Sequence, residues 1–155
     1  MKIRIITVGK PENKNYQELC AMYMQRLAHY SPVTLEYVKA EKIAGQPETL
    51  IMQNEAERLL KKIAPQDFII ALDKNGDGYS SEEFARFFEQ KMLHGIKAIT
   101  FLIGGPLGLA PEALKKADMQ LSLSAMTFAH ELALTLVLEQ LYRALTIIRG
   151  EKYHK

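Results

Sequence analysis

The residues whose types and spacing suit chemistry are gathered between Ala98 and His130. An apolar run, Ala98 to Ile103, leads into Gly104-Gly105-Pro106-Leu107-Gly108-Leu109. A second run leads into Leu123-Ser124-Ala125-Met126-Thr127-Phe128, with His130 close behind. Glycines just after a strand let a ligand approach bare backbone. In open α/β sheets, ligands sit outside the carboxyl ends of the strands. The Leu123 to Phe128 run mixes apolar side chains with hydroxyls and exposes backbone groups before a helix. Such a segment can clasp an adenine, with backbone for the base edge and methyls for its faces. The glycine turn is not a P-loop, because no Lys-Ser/Thr pair follows. A dinucleotide fingerprint belongs on the first strand-helix turn, and Thr7 to Pro11 holds one glycine.

Little else has catalytic spacing. The four histidines, His29, His94, His130 and His154, form no metal-binding pattern. His29 and His94 fall in helical or helix-end positions and read as surface residues. His130 opens the last helix beside the proposed site, and His154 lies in the tail beside Tyr153. The single cysteine, Cys20, sits among Leu19, Ala21 and Met22 and reads as a core filler, since a buried thiol without a base is inert. Asp73-Lys74-Asn75-Gly76-Asp77-Gly78 imitates the start of a calcium loop. Its twelfth position is Phe84 rather than a bidentate Glu, and an apolar strand precedes it where an entering helix belongs. Turn-forming residues explain its composition, so no metal is expected.

The elements that position these residues alternate. Strands are expected over Lys2–Val8, Val33–Val38, Phe68–Leu72, Lys97–Ile103 and Met119–Leu123. Helices are expected over Glu12–Tyr30, Glu48–Ile63, from Ser80 (with Glu83 at capping-box spacing), Pro111–Ala117 and Ala129–Arg149. Gly150 reads as the cap of the last helix. Asp73 to Tyr79 reads as a turn-rich loop and Lys39 to Pro47 as a polar one. Strand-helix alternation means one α/β domain, a mostly parallel sheet with helices on both faces. The 155 residues bury a core without metal or disulfide. A net charge of +2 neither announces nor excludes a nucleic-acid partner. No segment approaches a membrane span and no signal segment is visible, so a cytoplasmic protein is expected. The last helix is apolar nearly all round, which predicts cover on two sides: its own sheet and a second copy of the chain.

Four segments in order carry a resemblance. They are Leu102-Ile103-Gly104-Gly105-Pro106-x-Gly108-Leu109; Leu121-Ser122-Leu123-Ser124-x-Met126-Thr127-Phe128-x-His130; Glu139-Gln140-x-Tyr142-Arg143-Ala144; and Arg149-Gly150-Glu151-x-Tyr153-His154-Lys155. With the matching length, they resemble the RlmH family. These are SPOUT-class methyltransferases that act on a pseudouridine of large-subunit (23S) ribosomal RNA. The resemblance implies a single-domain α/β knot, a deep trefoil in the C-terminal part, which periodicity does not reveal. It implies a homodimer and S-adenosylmethionine as cofactor. By motif, Leu72, Gly104 and the run Leu123, Ser124, Ala125, Met126, Thr127, Phe128 would hold that cofactor. Leu107 and Ala129 depart from the family, where a polar or acidic residue and a proline are common.

The implied reaction is N3-methylation of the pseudouridine. His130 and His154 are the candidates for taking the N3 proton. Tyr142, Arg143, Tyr153 and Lys155 are expected to hold RNA, since loop bases stack on aromatic and Arg faces. Modest charge points to the assembled ribosome rather than free RNA as substrate. The alternative is a non-catalytic nucleotide- or RNA-binding module on a flavodoxin-like sheet. A calcium-responsive protein would rest on Asp73 to Gly78 alone.

Overall fold

The computed structural model describes residues 1–155 as ten elements in strict alternation. They are β1 Lys2–Val8, α1 Lys14–Ala28, β2 Val33–Val38, α2 Glu48–Leu60, β3 Phe68–Gly78, α3 Ser81–Leu93, β4 Ala98–Ile103, α4 Pro111–Lys116, β5 Met119–Ser122 and α5 His130–Ile148. All pairings are parallel, in the order β2-β1-β4-β3-β5. The central strands are apolar on both sides because helices cover both faces. Ile3, Ile5, Phe101 and Ile103 pack with α1, α3 and α5, whereas Ile6, Val8 and Leu102 pack with α2 and α4. No helix is long and apolar enough to cross a membrane.

Local chemistry sets the helix ends. Asn13 caps α1 by accepting the Asn15 amide at 2.9 Å, so the helix starts two residues after Glu12. Ser80 and Glu83 form the expected capping box on α3, at 3.1 and 2.8 Å. Pro111 occupies the first turn of α4. Gly150, in the left-handed region at φ +67°, lets the Glu151 amide reach back to the Thr146 carbonyl at 2.9 Å and close α5.

One expectation changes. Asp73 to Gly78 is not a free loop; it continues β3. Leu72 pairs with Leu121, the register breaks, and Asp77 and Gly78 resume pairing with Leu121 and Ser122. The intervening residues bulge outward, which their turn-forming types permit. Asp73 accepts the Asn75 amide at 2.7 Å, and no three His, Cys, Asp or Glu side chains gather where they could hold a metal ion. Helix α5 lies on the sheet between α1 and α3 and packs against both within one chain. Leu132, Leu136, Ile147 and Ile148 stay only half-buried.

Candidate active site at the strand ends

The chain leaves the edge strand β5 at Ser122 and crosses the carboxyl ends of the sheet before α5 begins. Ser122 steadies the departure by donating to the carbonyls of Lys74 (3.2 Å) and Ser124 (2.9 Å). Ser124 then accepts the Met126 amide at 3.0 Å, which turns the chain. At the far side, Glu131 accepts the Glu12 and Asn13 amides at 2.5 and 3.2 Å, fastening the start of α5 to the start of α1.

This crossing segment and the glycine turn enclose a cleft of about 400 Å³, within the usual range for small-molecule sites. Its apolar walls include Met52, Leu72, Leu109, Leu121, Leu123 and Phe128. The only charged side chains among its lining residues are Asp73 and Lys74. The turn itself is tight. Gly108, at φ +85°, donates to the Gly105 carbonyl at 2.9 Å. A Cβ on Gly104 would lie 2.5 Å from the Gly108 carbonyl, so glycine is required for the two limbs of the turn to touch.

Six residues expected to hold the cofactor line this cleft: Leu72, Leu123, Ser124, Met126, Thr127 and Phe128. Gly104 lies behind it with its carbonyl facing His130, and exposed Ala125 lines a neighbouring hollow with Lys74 and Tyr79. Met126 is 76% exposed and Phe128 38%, a large apolar surface for a free site. Leu107 lines the cleft, while Ala129 precedes α5 without a side-chain cap. Asp73, Lys74 and Met52 are lining residues that the sequence reading did not place at this site. Asp73 directly follows Leu72, so its nearness to the site was visible. Met52 comes from α2, and nothing in its neighbourhood in the sequence marks it.

The two candidate proton acceptors are separated. His130 Nδ1 lies 3.0 Å from the Gly104 carbonyl and so carries the proton that it donates. Its Nε2 is buried without a partner, about where a Gly9 side chain would point. From His130 to Arg143, α5 rises about 20 Å at 1.5 Å per residue. There Arg143 donates to His154 Nδ1 at 3.4 Å, and His154 Nε2 lies 2.8 Å from Glu82 on α3.

The residues expected to hold RNA are packed together at this far end. Tyr142 meets Tyr23, Tyr30 and Tyr153, with ring centroids 6.2, 5.7 and 4.7 Å apart. Arg143 pairs with Glu139 and lies over the Tyr153 ring at 4.8 Å. Tyr153 donates to Glu139 at 3.1 Å; burial, with Tyr23 and Glu139 beside it, pushes this phenol well up. The Glu151 carboxylate raises Tyr30 likewise. Lys155 is exposed. Arg26 and Arg149 lie over rings of the same cluster, adding cations from α1 and the end of α5.

Comparison with known proteins identifies the family. Residues 1–154 match the family described as "Predicted SPOUT methyltransferase". A protein of Carboxydothermus hydrogenoformans described as ribosomal RNA large subunit methyltransferase H is 44% identical over 162 residues, spanning the whole of both chains. A relative of the same description from Syntrophobacter fumaroxidans is 44% identical over 157 residues, again spanning both. Among solved structures, a probable methyltransferase from Bordetella pertussis Tohama I superposes with a TM-score of 0.56 at 17% identity. It covers 92% of this chain and 95% of its own, a likeness of fold. The parallel sheet, the cleft at its strand ends and the full-length matches together show that this chain belongs to the SPOUT methyltransferase family.

Proposed function

We propose that the protein transfers a methyl group from S-adenosylmethionine to N3 of a pseudouridine in 23S ribosomal RNA. It does so in the cytoplasm, as a homodimer, on the assembled ribosome. The observation that carries this reading is the cleft, whose glycine turn leaves backbone bare opposite the run Leu123 to Phe128. The residues present suit the cofactor. Apolar walls accept a purine face, uncovered backbone accepts its polar edge, and Asp73 gives a carboxylate for hydroxyl or cationic groups. The reading includes the family's knot, with the chain after β5 threaded through the Gly104 to Asp118 connection. Full-length relatives described as ribosomal RNA large subunit methyltransferase H support the substrate.

When bound, the cofactor supplies a methyl already activated on a sulfonium sulfur, so the protein's task is placement. Leu72 and the run Leu123 to Phe128 would hold the donor, Gly104 would shape the turn behind it, and the exposed Met126 and Phe128 would shield it from water. N3 of the base would take the methyl carbon as the carbon–sulfur bond breaks, and its proton would leave to water, since both nitrogens of His154 are engaged, by Arg143 and Glu82, at the far end of α5. His130 acts as a positioning residue, because its proton is committed to the Gly104 carbonyl and its other nitrogen is buried. Tyr142, Arg143, Tyr153 and Lys155 face the RNA. The dimer rests on the family resemblance and on the half-buried Leu132 and Leu136 of α5.

The test combines calorimetric titration with S-adenosylmethionine and transfer of labelled methyl to ribosomes and to naked 23S transcript, read by mass spectrometry of the nucleosides. Saturable binding and N3-methylpseudouridine on ribosomes alone are expected. Binding without transfer to either RNA would reduce the protein to a binding module. Equal labelling of transcript and ribosome would remove the requirement for assembly.

A further inference from the structure

Glu55 occupies an unusual place on α2. It shares the inward face with Ile51, Ala56 and Leu59 and is 3% exposed. A buried carboxylate is costly unless both oxygens find donors. Oε1 accepts the Glu41 amide at 2.9 Å, but Oε2 has no hydrogen-bond partner. Arg58, on the next turn of the helix, is engaged elsewhere: it pairs with Glu41 and donates to the Lys39 carbonyl at 2.9 Å.

The unpartnered oxygen faces the glycine turn from behind. A Cβ on Gly105 would stand 3.0 Å from Glu55 Oε2 and 3.2 Å from Val8 Cγ1. The other side of Gly105 lines the cleft. One carboxylate thus joins the loop after β2, through Glu41, to the turn after β4. An apolar side chain of similar size beside Gly105 and Val8 would leave no orphan acceptor. A buried unsatisfied group calls for an explanation, and stability given up beside a ligand cleft is one.

We propose that Glu55 is a positioning residue for the donor cleft: anchored by the Glu41 amide, it presses on Gly105 and fixes the glycine turn in the shape that receives the cofactor. The inference rests on the donor-binding reading above. On this view Glu55 never touches the reacting atoms. It acts through Gly105 and the Gly108-to-Gly105 hydrogen bond that closes the turn.

The experiment titrates the full chain and its Glu55→Gln and Glu55→Leu variants with S-adenosylmethionine, and separately measures thermal unfolding without ligand. Donor affinity should fall about tenfold in both, the scale of a sub-ångström misplacement. Tm should hold or rise in Glu55→Leu, because a buried charge has gone. KM for the donor should rise more than kcat falls, and Glu55→Asp should recover part of the affinity. Hydrogen exchange at the Gly108 amide should quicken in ligand-free Glu55→Gln. Affinity within about twofold of wild type in both variants, with unchanged exchange, overturns the proposal.

Should Glu55 variants fail to fold, Gly105→Ala tests the contact from the other side. Its added Cβ would meet Glu55 Oε2 at 3.0 Å and should lower donor affinity about tenfold while the chain stays folded. Affinity in Gly105→Ala within about twofold of wild type overturns the contact. A wild type that binds no S-adenosylmethionine removes the donor-binding reading and this inference together. A wild type that binds, beside Glu55 variants that bind equally well, removes only the role of Glu55.

Discussion

A methyl group added at Gly104 should destroy donor binding, whereas the same insult at Gly76 should not. A Cβ at either position meets backbone at 2.5 Å: the Gly108 carbonyl for Gly104, the Gln120 carbonyl for Gly76. Backbone cannot rotate aside as a side chain can. Moving from 2.5 Å to ordinary contact at 3.4 Å requires a separation of about 0.9 Å in each case. Overpacking of this kind costs about 1–3 kcal/mol. For a chain of this size that lowers Tm by roughly 2–12 °C. The two sites differ in what moves. Opening Gly104 from Gly108 displaces the turn that lines the cleft, and a shift near 1 Å costs about 100-fold where reacting groups must be aligned. Gly76 itself lines two other hollows and not the cleft, so opening it from Gln120 reaches the cleft only through its neighbours Asp73, Lys74 and Leu121. Thermal melts of Gly104→Ala and Gly76→Ala should therefore fall together while calorimetry separates them. Equal loss of donor affinity in both variants, or affinity in Gly104→Ala within about threefold of wild type, would refute the reasoning.

Three further outcomes are expected. His130→Asn, whose amide can still donate to the Gly104 carbonyl, should keep more methyl transfer than His130→Ala and leave the pH–rate profile unchanged; a missing limb in the Asn variant would restore His130 as a base. Deleting Tyr153 to Lys155 should leave donor affinity intact but cut methylation of ribosomes by about tenfold or more, the scale of losing one to three kcal/mol of base stacking; full activity in the truncated protein would remove the tail from RNA recognition. Arg4 and then Lys62, hydrogen-bonded to Glu36, hold its carboxyl below the ordinary value. A depressed folded pKa gives stability that is present above the unfolded value, about 4.3, and lost as pH falls through the folded one. Glu36→Gln should therefore remove part of the stability near pH 6 and flatten the acid limb below about pH 4 in urea titrations, and an acid limb parallel to wild type would contradict the assignment.

Sequence periodicity located all five strands and all five helices, because the central strands carry apolar runs, four helices begin at a cap residue or proline, and α5 is marked by its long apolar stretch. What was misread or left unread depends on long-range placement. Asp73 to Gly78 has the composition of a loop, and only the edge of β5 across from it turns the segment back into paired strand. The apolar surplus of α5 was visible, but its cover by α1 and α3 depends on where the chain crosses after β5, which periodicity does not encode. The cleft was legible where glycines or hydroxyls follow a strand. Met52 and Glu55 were not, since a side chain on a helix joins a site through the helix's placement. Glu55 even breaks the apolar pattern of α2, and that mismatch was the one trace of it in the sequence.

The placement of α5 also governs when the molecule can become whole. Ile3 and Ile5 of β1 share one core with Leu134, Leu138 and Leu141 of α5. More than a hundred residues separate these partners in the chain. At about 5–20 residues per second, synthesis takes roughly 6–26 s to pass from one to the other. For that interval the α1–α3 face of the sheet stands open, with Phe101 and Phe88 stacked beside an empty lane. Folding of that layer must therefore follow translation of α5 rather than accompany the strands, and contacts so distant in sequence make it slow. Until then the nascent chain displays an apolar groove one helix wide, a surface suited to a chaperone.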